Sequence, residues 1–162
     1  MKNFVLAFAL ALSFVGALSA QVKGSAIGGR FGLDVEVSYQ HPLSDVNRLE
    51  LGLGYNVLGY YNTVNPSGPT ISGVYQWVYD LSSIADGLNW YWGLGASTAI
   101  VTNYSSPYFS VGALGQAGVE YNFDFPLRLS IDCRPGLYVI PSLTYPINVS
   151  GFSPCVAARY RF

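Results

Sequence analysis

Arg48-Leu49-Glu50-Leu51-Gly52-Leu53-Gly54-Tyr55-Asn56 sets the period of the chain. Leu49, Leu51, Leu53 and Tyr55 fall at every second position, with Arg48, Glu50, Gly52, Gly54 and Asn56 between them. A period of two belongs to an extended strand, whose successive side chains point to opposite faces. A helix would need apolar residues three and four apart. This segment therefore has one greasy face and one face of charges, amides and glycines.

The same alternation recurs on both sides of it. Leu33, Val35, Val37 and Tyr39 alternate with Asp34, Glu36, Ser38 and Gln40. Leu127, Leu129 and Ile131 alternate with Arg128, Ser130, Asp132 and Arg134. Val156, Ala158, Tyr160 and Phe162 alternate with Cys155, Ala157, Arg159 and Arg161. The pattern predicts eight strands, at about 23–31, 33–41, 48–57, 71–81, 89–100, 108–123, 127–139 and 151–162. Ten shorter strands would also fit the length. Turn-forming residues separate them at 41–47, 62–70, 82–87, 102–107, 124–126 and 141–150, with Asn65-Pro66-Ser67-Gly68-Pro69 in the longest. An even number of strands puts both chain ends on one side.

Composition restricts the setting. Only 10% of the 162 residues are charged, against roughly 25% in an ordinary globular domain. Aromatics reach 15%, led by thirteen Tyr, and there are eighteen Gly. A water-facing surface has few charges from which to be built. The net charge of −1 and the absence of a basic patch argue against a nucleic-acid partner.

Residues 1–20 read as a secretory leader. Met1-Lys2-Asn3 is a short basic start, Phe4 to Leu18 is apolar, and small residues at Ser19-Ala20 precede Gln21. The apolar run of about fifteen falls short of the ~20 residues that a spanning helix needs. Cleavage is expected after Ala20, with Ala17 and Ser19 as alternatives. The barrel is expected over residues 21–162, delivered to a compartment where disulfides can form.

Parity sorts the side chains. One face holds Leu, Val, Ile and aromatics. The other holds Arg30, Arg48, Arg128, Arg134, Arg159 and Arg161 with Glu36, Glu50, Asp80, Glu120 and Asp132. Two closed sheets share this pattern. A soluble barrel turns its apolar face inward, and a membrane barrel turns it outward. An eight-stranded interior is just wide enough for side chains to fill. Charges there must be matched, because removing one partner of a buried pair costs about 3–5 kcal/mol. The near-equal numbers of acids and bases on the polar face fit a lumen. The aromatics fit a membrane boundary, where amphipathic rings concentrate. Trp77, Tyr79, Trp90 and Trp92 flank the 82–87 turn, and Tyr121, Phe123, Phe125, Tyr160 and Phe162 fall at the same end. Tyr55, Tyr60, Tyr61, Tyr104, Tyr108, Phe109 and Tyr138 suggest a second girdle at the other. The expected fold is thus all-β: a closed, antiparallel, up-and-down transmembrane barrel. Closure is required because an open sheet edge in lipid leaves backbone groups unsatisfied, so 23–31 should pair with 151–162.

The carboxy-terminal run Val156-Ala157-Ala158-Arg159-Tyr160-Arg161-Phe162 ends on an aromatic residue with apolar residues at every second position before it. It resembles the terminal signal that outer-membrane barrels present to their assembly machinery. Together with the leader, Gly29-Arg30-Phe31-Gly32, Glu36-Val37-Ser38-Tyr39-Gln40-His41 and Glu120-Tyr121-Asn122-Phe123, the chain resembles the small eight-stranded outer-membrane barrels of the OmpA/OmpX type over roughly 22–162. The resemblance implies an outer-membrane location with both termini in the periplasm, short turns there and longer loops outside. Tyr160 and Phe162 would carry the assembly signal. It also implies outer-membrane lipid and the barrel-assembly machinery as partners and a monomeric barrel. A fold of this kind does not dictate an activity.

No catalytic constellation, cofactor site or metal site is expected. His41, the one histidine, precedes Pro42 near the end that carries the termini, away from any outer rim. Cys133 and Cys155 sit on neighbouring strands with opposite parity, the first toward lipid and the second toward the lumen. Two thiols are therefore expected, unless a strand irregularity near Pro135 or Pro154 changes the parity. Asn103-Tyr104-Ser105 and Asn148-Val149-Ser150 match a glycosylation sequon, read here as chance. The loops, with Tyr60-Tyr61 and Tyr145, are solvated caps or a surface for an unidentified ligand. Three functions remain open: a non-enzymatic structural or surface-interaction barrel, a narrow porin or small-solute channel, and a secreted soluble barrel for an apolar ligand.

Overall fold

A computed structural model describes residues 22, 24–32, 34–56, 68–101, 108–139, 147–150 and 154–162. The leader, Lys23, Tyr60, Tyr61, Tyr104 and Tyr145 lie outside the described residues.

Among the described residues there are ten strand segments: β1 (Ala26–Phe31), β2 (Asp34–Pro42), β3 (Asn47–Asn56), β4 (Gly68–Asp80), β5 (Leu88–Val101), β6 (Tyr108–Asn122), β7 (Leu127–Cys133), β8 (Gly136–Val139), β9 (Ile147–Ser150) and β10 (Pro154–Arg161). They build eight walls. β7 and β8 both pair with β6 in a single register, Ala117 with Cys133 and Leu114 with Gly136. They are divided only at Arg134-Pro135, where proline has no N–H to give the ladder; Gly115 N–H still donates to the Pro135 carbonyl at 2.8 Å. β9 and β10 form the last wall. Gly136 pairs with Ser150 and Cys133 with Pro154, so from one pairing to the other the last wall advances four residues where its neighbour advances three.

The sheet closes on itself, with every pairing antiparallel. β1 pairs with β10 from Ala26↔Arg161 to Phe31↔Val156. Paired residues can be followed once round the barrel from Leu129 through Ala158, Gly29, Val37, Leu53, Ile71, Thr98 and Val111. The path returns to the starting wall at Val139, ten residues from Leu129. That stagger tilts the strands by about 40° from the barrel axis and fixes a bore that side chains alone can fill.

Four expectations of strand extent change. Gly68-Pro69-Thr70, read as loop, begins β4, with Pro69 opposite Tyr55 close to the strand end. Proline is tolerated there because few ladder bonds are lost. Ile147–Ser150, also read as loop, is β9. Pro42, read as turn, ends β2 opposite Arg48. β1 starts at Ala26 rather than Lys23.

The turns Leu43–Val46, Leu81–Gly87 and Phe123–Pro126 lie at the same end as the start of β1 and the end of β10. Phe31 and Asp34, Asn56 and Gly68, Val101 and Tyr108, and Val139 and Ile147, the strand ends that these turns do not join, lie at the other end. In the Leu81–Gly87 turn the Asp80 carboxylate accepts the Ser82 N–H and hydroxyl, both at 2.8 Å. Gly87 closes the turn at φ 84°, and its carbonyl accepts the Asn122 N–H at 2.8 Å. A Cβ at Gly87 would stand 2.3 Å from the Asn122 carbonyl oxygen. Gly87→Ala is expected to cost about 2 kcal/mol or more from the left-handed backbone and this contact, read as a lower urea midpoint in detergent micelles.

Polarity is inverted relative to a soluble protein. Leu53 is 63% exposed on the outer surface, whereas Arg30 and Arg48 are 0% exposed inside. Val37, Ile71, Leu94, Val111, Ile131 and Val156 continue the apolar exterior. The soluble barrel with a greasy centre is therefore overturned: Leu51 and Leu53 point out, and Arg128 and Arg159 are buried.

Candidate functional site: the ion-paired lumen

Inward positions of every wall converge on one polar network. Glu50, on β3, sits at its middle. Its Oε1 accepts Arg134 Nη2 at 2.8 Å and Arg159 Nη2 at 3.2 Å. Its Oε2 accepts Gln40 Nε2 at 2.7 Å and Gln76 Nε2 at 2.8 Å. Two guanidiniums and two amides thus saturate one carboxylate. Gln76 also donates to Gln116 Oε1 at 2.8 Å and accepts Arg48 Nε.

A second centre lies toward the turns. Arg48 grips Glu120 through both nitrogens, Nη1 to Oε1 at 3.0 Å and Nη2 to Oε2 at 2.6 Å. Arg128 approaches Glu120 Oε1 at 3.6 Å but donates more closely to Gln40 Oε1 at 2.6 Å and Asn122 Oδ1 at 2.8 Å. A third centre is Asp132, which takes Arg30 Nη2 at 2.6 Å and the Tyr91 hydroxyl at 2.8 Å. Arg48 lies over the Tyr91 ring at 4.9 Å, joining the last two centres. Toward the loop end Arg134 reaches Glu36 Oε2 at 3.2 Å, and Glu36 accepts the Ser72 hydroxyl at 3.0 Å. Arg159 is further held by Ser38 and Ser130 at 2.8 and 2.9 Å.

Small inward residues make room for these long ones. A Cβ at Gly52 would fall 2.2 Å from the Glu36 carboxyl carbon, so glycine on β3 leaves the space that the carboxylate fills. Above this layer a polar recess of about 40 Å³ is lined by Asp34, Asn56, Thr70, Ser97, Arg134 and Tyr138, among others.

Nine of the eleven charged residues assigned to the lumen are buried there: Arg30, Glu36, Arg48, Glu50, Glu120, Arg128, Asp132, Arg134 and Arg159. Two stand apart from the network. Asp80 caps the turn through Ser82 instead of meeting an arginine. Arg161 donates to the backbone carbonyls of Phe123 and Phe125 and so ties the last strand to a turn. Both have inward parity but lie at the rim, where a turn is closer than the centre. Charge patterning also missed members. Asp34, left out, pairs with Arg30 at 3.6 Å. Gln40, Gln76, Gln116, Asn89 and Tyr91 carry much of the network and have no charge to advertise them; only their parity could have found them.

Aromatic rings cluster on the outer face near the turn end. Trp77 stacks on Trp92 with centroids 4.3 Å apart, and Tyr79 on Trp90 at 4.7 Å. Tyr121 meets Phe123 edge-on at 4.8 Å, and Phe123 lies 5.0 Å from Phe125. Tyr160 and Phe162 are exposed on the same rim. At the loop end Tyr55 and Phe109 face out, but Tyr138 turns inward to the recess and leaves the second girdle. His41 is exposed beside the Tyr39 hydroxyl at 3.3 Å. Cys133 and Cys155 both remain thiols, Cys133 half-buried and Cys155 buried in the lumen with its Sγ 3.8 Å from Asp34 Oδ1.

No family model matches the chain, and no curated protein matches it. Solved structures do. The N-terminal β-barrel domain of Pseudomonas aeruginosa OprF is similar at a TM-score of 0.57 and 17% identity, over 85% of this chain and 95% of that one. Neisserial surface protein A (NspA) is similar at 0.51 and 19%, over 85% and 93%. A de novo designed transmembrane β-barrel is similar at 0.54 and 15%, over 90% and 100%. At these identities the shared feature is the fold, that of a small transmembrane β-barrel.

Proposed function

We propose that this chain is an integral outer-membrane barrel with a plugged lumen, serving a structural or surface-interaction role without catalysis. One observation carries the reading: the bore is occupied by five buried arginines, each held by carboxylates or amides of other walls, while the exterior is continuously apolar. An eight-stranded bore filled in this way leaves no aqueous path for solutes. Lipid and the assembly machinery are its proposed partners, and the termini and short turns face the periplasm. The connections at the opposite end would present any ligand-binding surface.

In planar bilayers the purified protein is expected to give no unit conductance. Steady current steps from the unmodified chain would replace this reading with that of a narrow channel. Outer-membrane fractionation and faster gel migration before boiling than after test the placement. Arg128→Ala is expected to lower the unfolding free energy by about 1–3 kcal/mol, because it strips a donor from Gln40 and Asn122 inside the bore. Urea titration in micelles measures it.

A further inference from the structure

On the outer face of the β6–β7 hairpin the apolar surface is broken by a groove of about 210 Å³. Register explains its position. Val119 and Tyr121 on β6 stand opposite Ile131 and Leu129 on β7, and these four outward side chains frame the backbone pair Glu120↔Ser130. The side chains of that pair are engaged inside the bore, Glu120 with Arg48 and Ser130 with Arg159, so backbone forms the floor of the groove. Leu88 of β5 and Val156 of β10 bound its two sides. Neighbouring rings lean away from it. Trp90 pairs in register with Val119 but stacks on Tyr79, toward β4. Tyr121 packs its ring against Phe123, toward the turn end. The two rings that could cover the floor are thus drawn off in different directions.

The groove is continuous with the apolar exterior of a transmembrane barrel, so its occupant comes from the membrane. An apolar cavity of about 150 Å³ accepts benzene, and this larger groove takes a segment of alkyl chain. Lipid tails are as apolar as leucine, so burial alone gives the groove no advantage over the bilayer. Close contact does: a chain lying on backbone, with side chains on both flanks, touches more atoms than one lying across side-chain tips. Height selects the leaflet. Phe123 of the girdle stands two residues beyond Tyr121, about 7 Å along the strand, so the groove lies just inside the turn-side boundary. Charge selects the headgroup. Asp86 lies two residues before Leu88 and Asp124 three after Tyr121, and both are exposed. The turns that carry them, Leu81–Gly87 and Phe123–Pro126, contain no lysine or arginine. An ammonium complements this rim, and a purely anionic headgroup is repelled by it.

We propose that the groove is a lipid subsite, holding one acyl chain of a turn-side phospholipid whose headgroup carries an ammonium. The subsite rests on the membrane-barrel reading above and is independent of whether the bore conducts. For the test, the protein is folded in detergent micelles with dipalmitoyl phosphatidylethanolamine or dipalmitoyl phosphatidylglycerol, and bound lipid is counted by native mass spectrometry. One ethanolamine lipid is expected to stay on each barrel, and about fivefold less of the glycerol lipid. Val119→Trp fills the groove with an apolar ring and is expected to lower retention about tenfold. Val111→Trp, toward the loop end of the same outward face, is expected to leave it unchanged. Faster gel migration before boiling than after confirms folding. Should Val119→Trp not fold, Ile131→Phe narrows the groove from β7 and is expected to lower retention about threefold. No retained lipid, equal retention of the two lipids, equal retention by the two tryptophan variants, or a lipid-free dimer overturns the subsite. If the protein in that case still inserts into phosphatidylcholine vesicles, the membrane barrel stands; if it does not insert, both readings fall.

Discussion

Glu50→Gln is expected to lower the unfolding free energy of the barrel by about 3–5 kcal/mol, although the two side chains have nearly the same shape. The carboxylate accepts from Arg134, Arg159, Gln40 and Gln76 at once. A glutamine there brings its own N–H groups toward four donors, so at least one faces another donor whichever way the amide turns. Arg134 keeps Glu36, but Arg159 keeps only the hydroxyls of Ser38 and Ser130. An arginine without a carboxylate in a bore closed to water is the costly outcome. Replacing both partners should cost less. Glu50→Leu combined with Arg159→Met removes the stranded charge and fills the space with apolar groups, so the double variant is expected to be more stable than Glu50→Leu alone. Urea unfolding of the unmodified chain, Glu50→Leu, Arg159→Met and the double variant in micelles gives the coupling. A cost below about 1 kcal/mol for Glu50→Gln would mean that water screens these pairs, as it does at a surface, and the plugged bore would be wrong.

That prediction shows what the chain declares on its own. Alternation around Arg48–Asn56 fixes which residues face which side, because a strand has only two faces and a slip of one residue would put every charge into lipid. The buried arginines and carboxylates could therefore be assigned by parity alone. Parity has no information about height. Asp80 and Arg161 have the right face but lie at the rim, and each is taken by a nearby turn. Tyr138 shares the parity of Arg128, Asp132 and Arg134 and so faces inward, where it fills the space that Gly112 leaves opposite it on β6; its aromatic ring alone had suggested the girdle. Ile147–Ser150 is only four residues long, too short a run to show a period of its own beside Pro141 and Pro146.

The inverted polarity leads to a second large effect on the opposite face of the same strand. Leu53→Arg is expected to destabilise the folded barrel in a bilayer by about 2–4 kcal/mol, the penalty for a guanidinium on the lipid side near mid-depth. Leu53 is 63% exposed and stands between Val37 and Ile71 on the neighbouring walls, all three pointing outward. Among the described residues no strand carboxylate faces outward beside it, and the side chain must stretch toward a rim to find water or a headgroup. The position of the substitution decides the size of the effect. Tyr55, one step along the same face toward the loop end, lies opposite Val35 near the end of β3, and Tyr55→Arg is expected to cost about 1 kcal/mol or less because the interface is within reach. In a water-soluble protein the order would vanish: an arginine at an exposed site is nearly neutral wherever it sits. Folding titrations in lipid vesicles, comparing the two variants with the unmodified chain, therefore measure the depth profile directly. Equal, small costs at both sites would place Leu53 in water and turn the barrel the other way out.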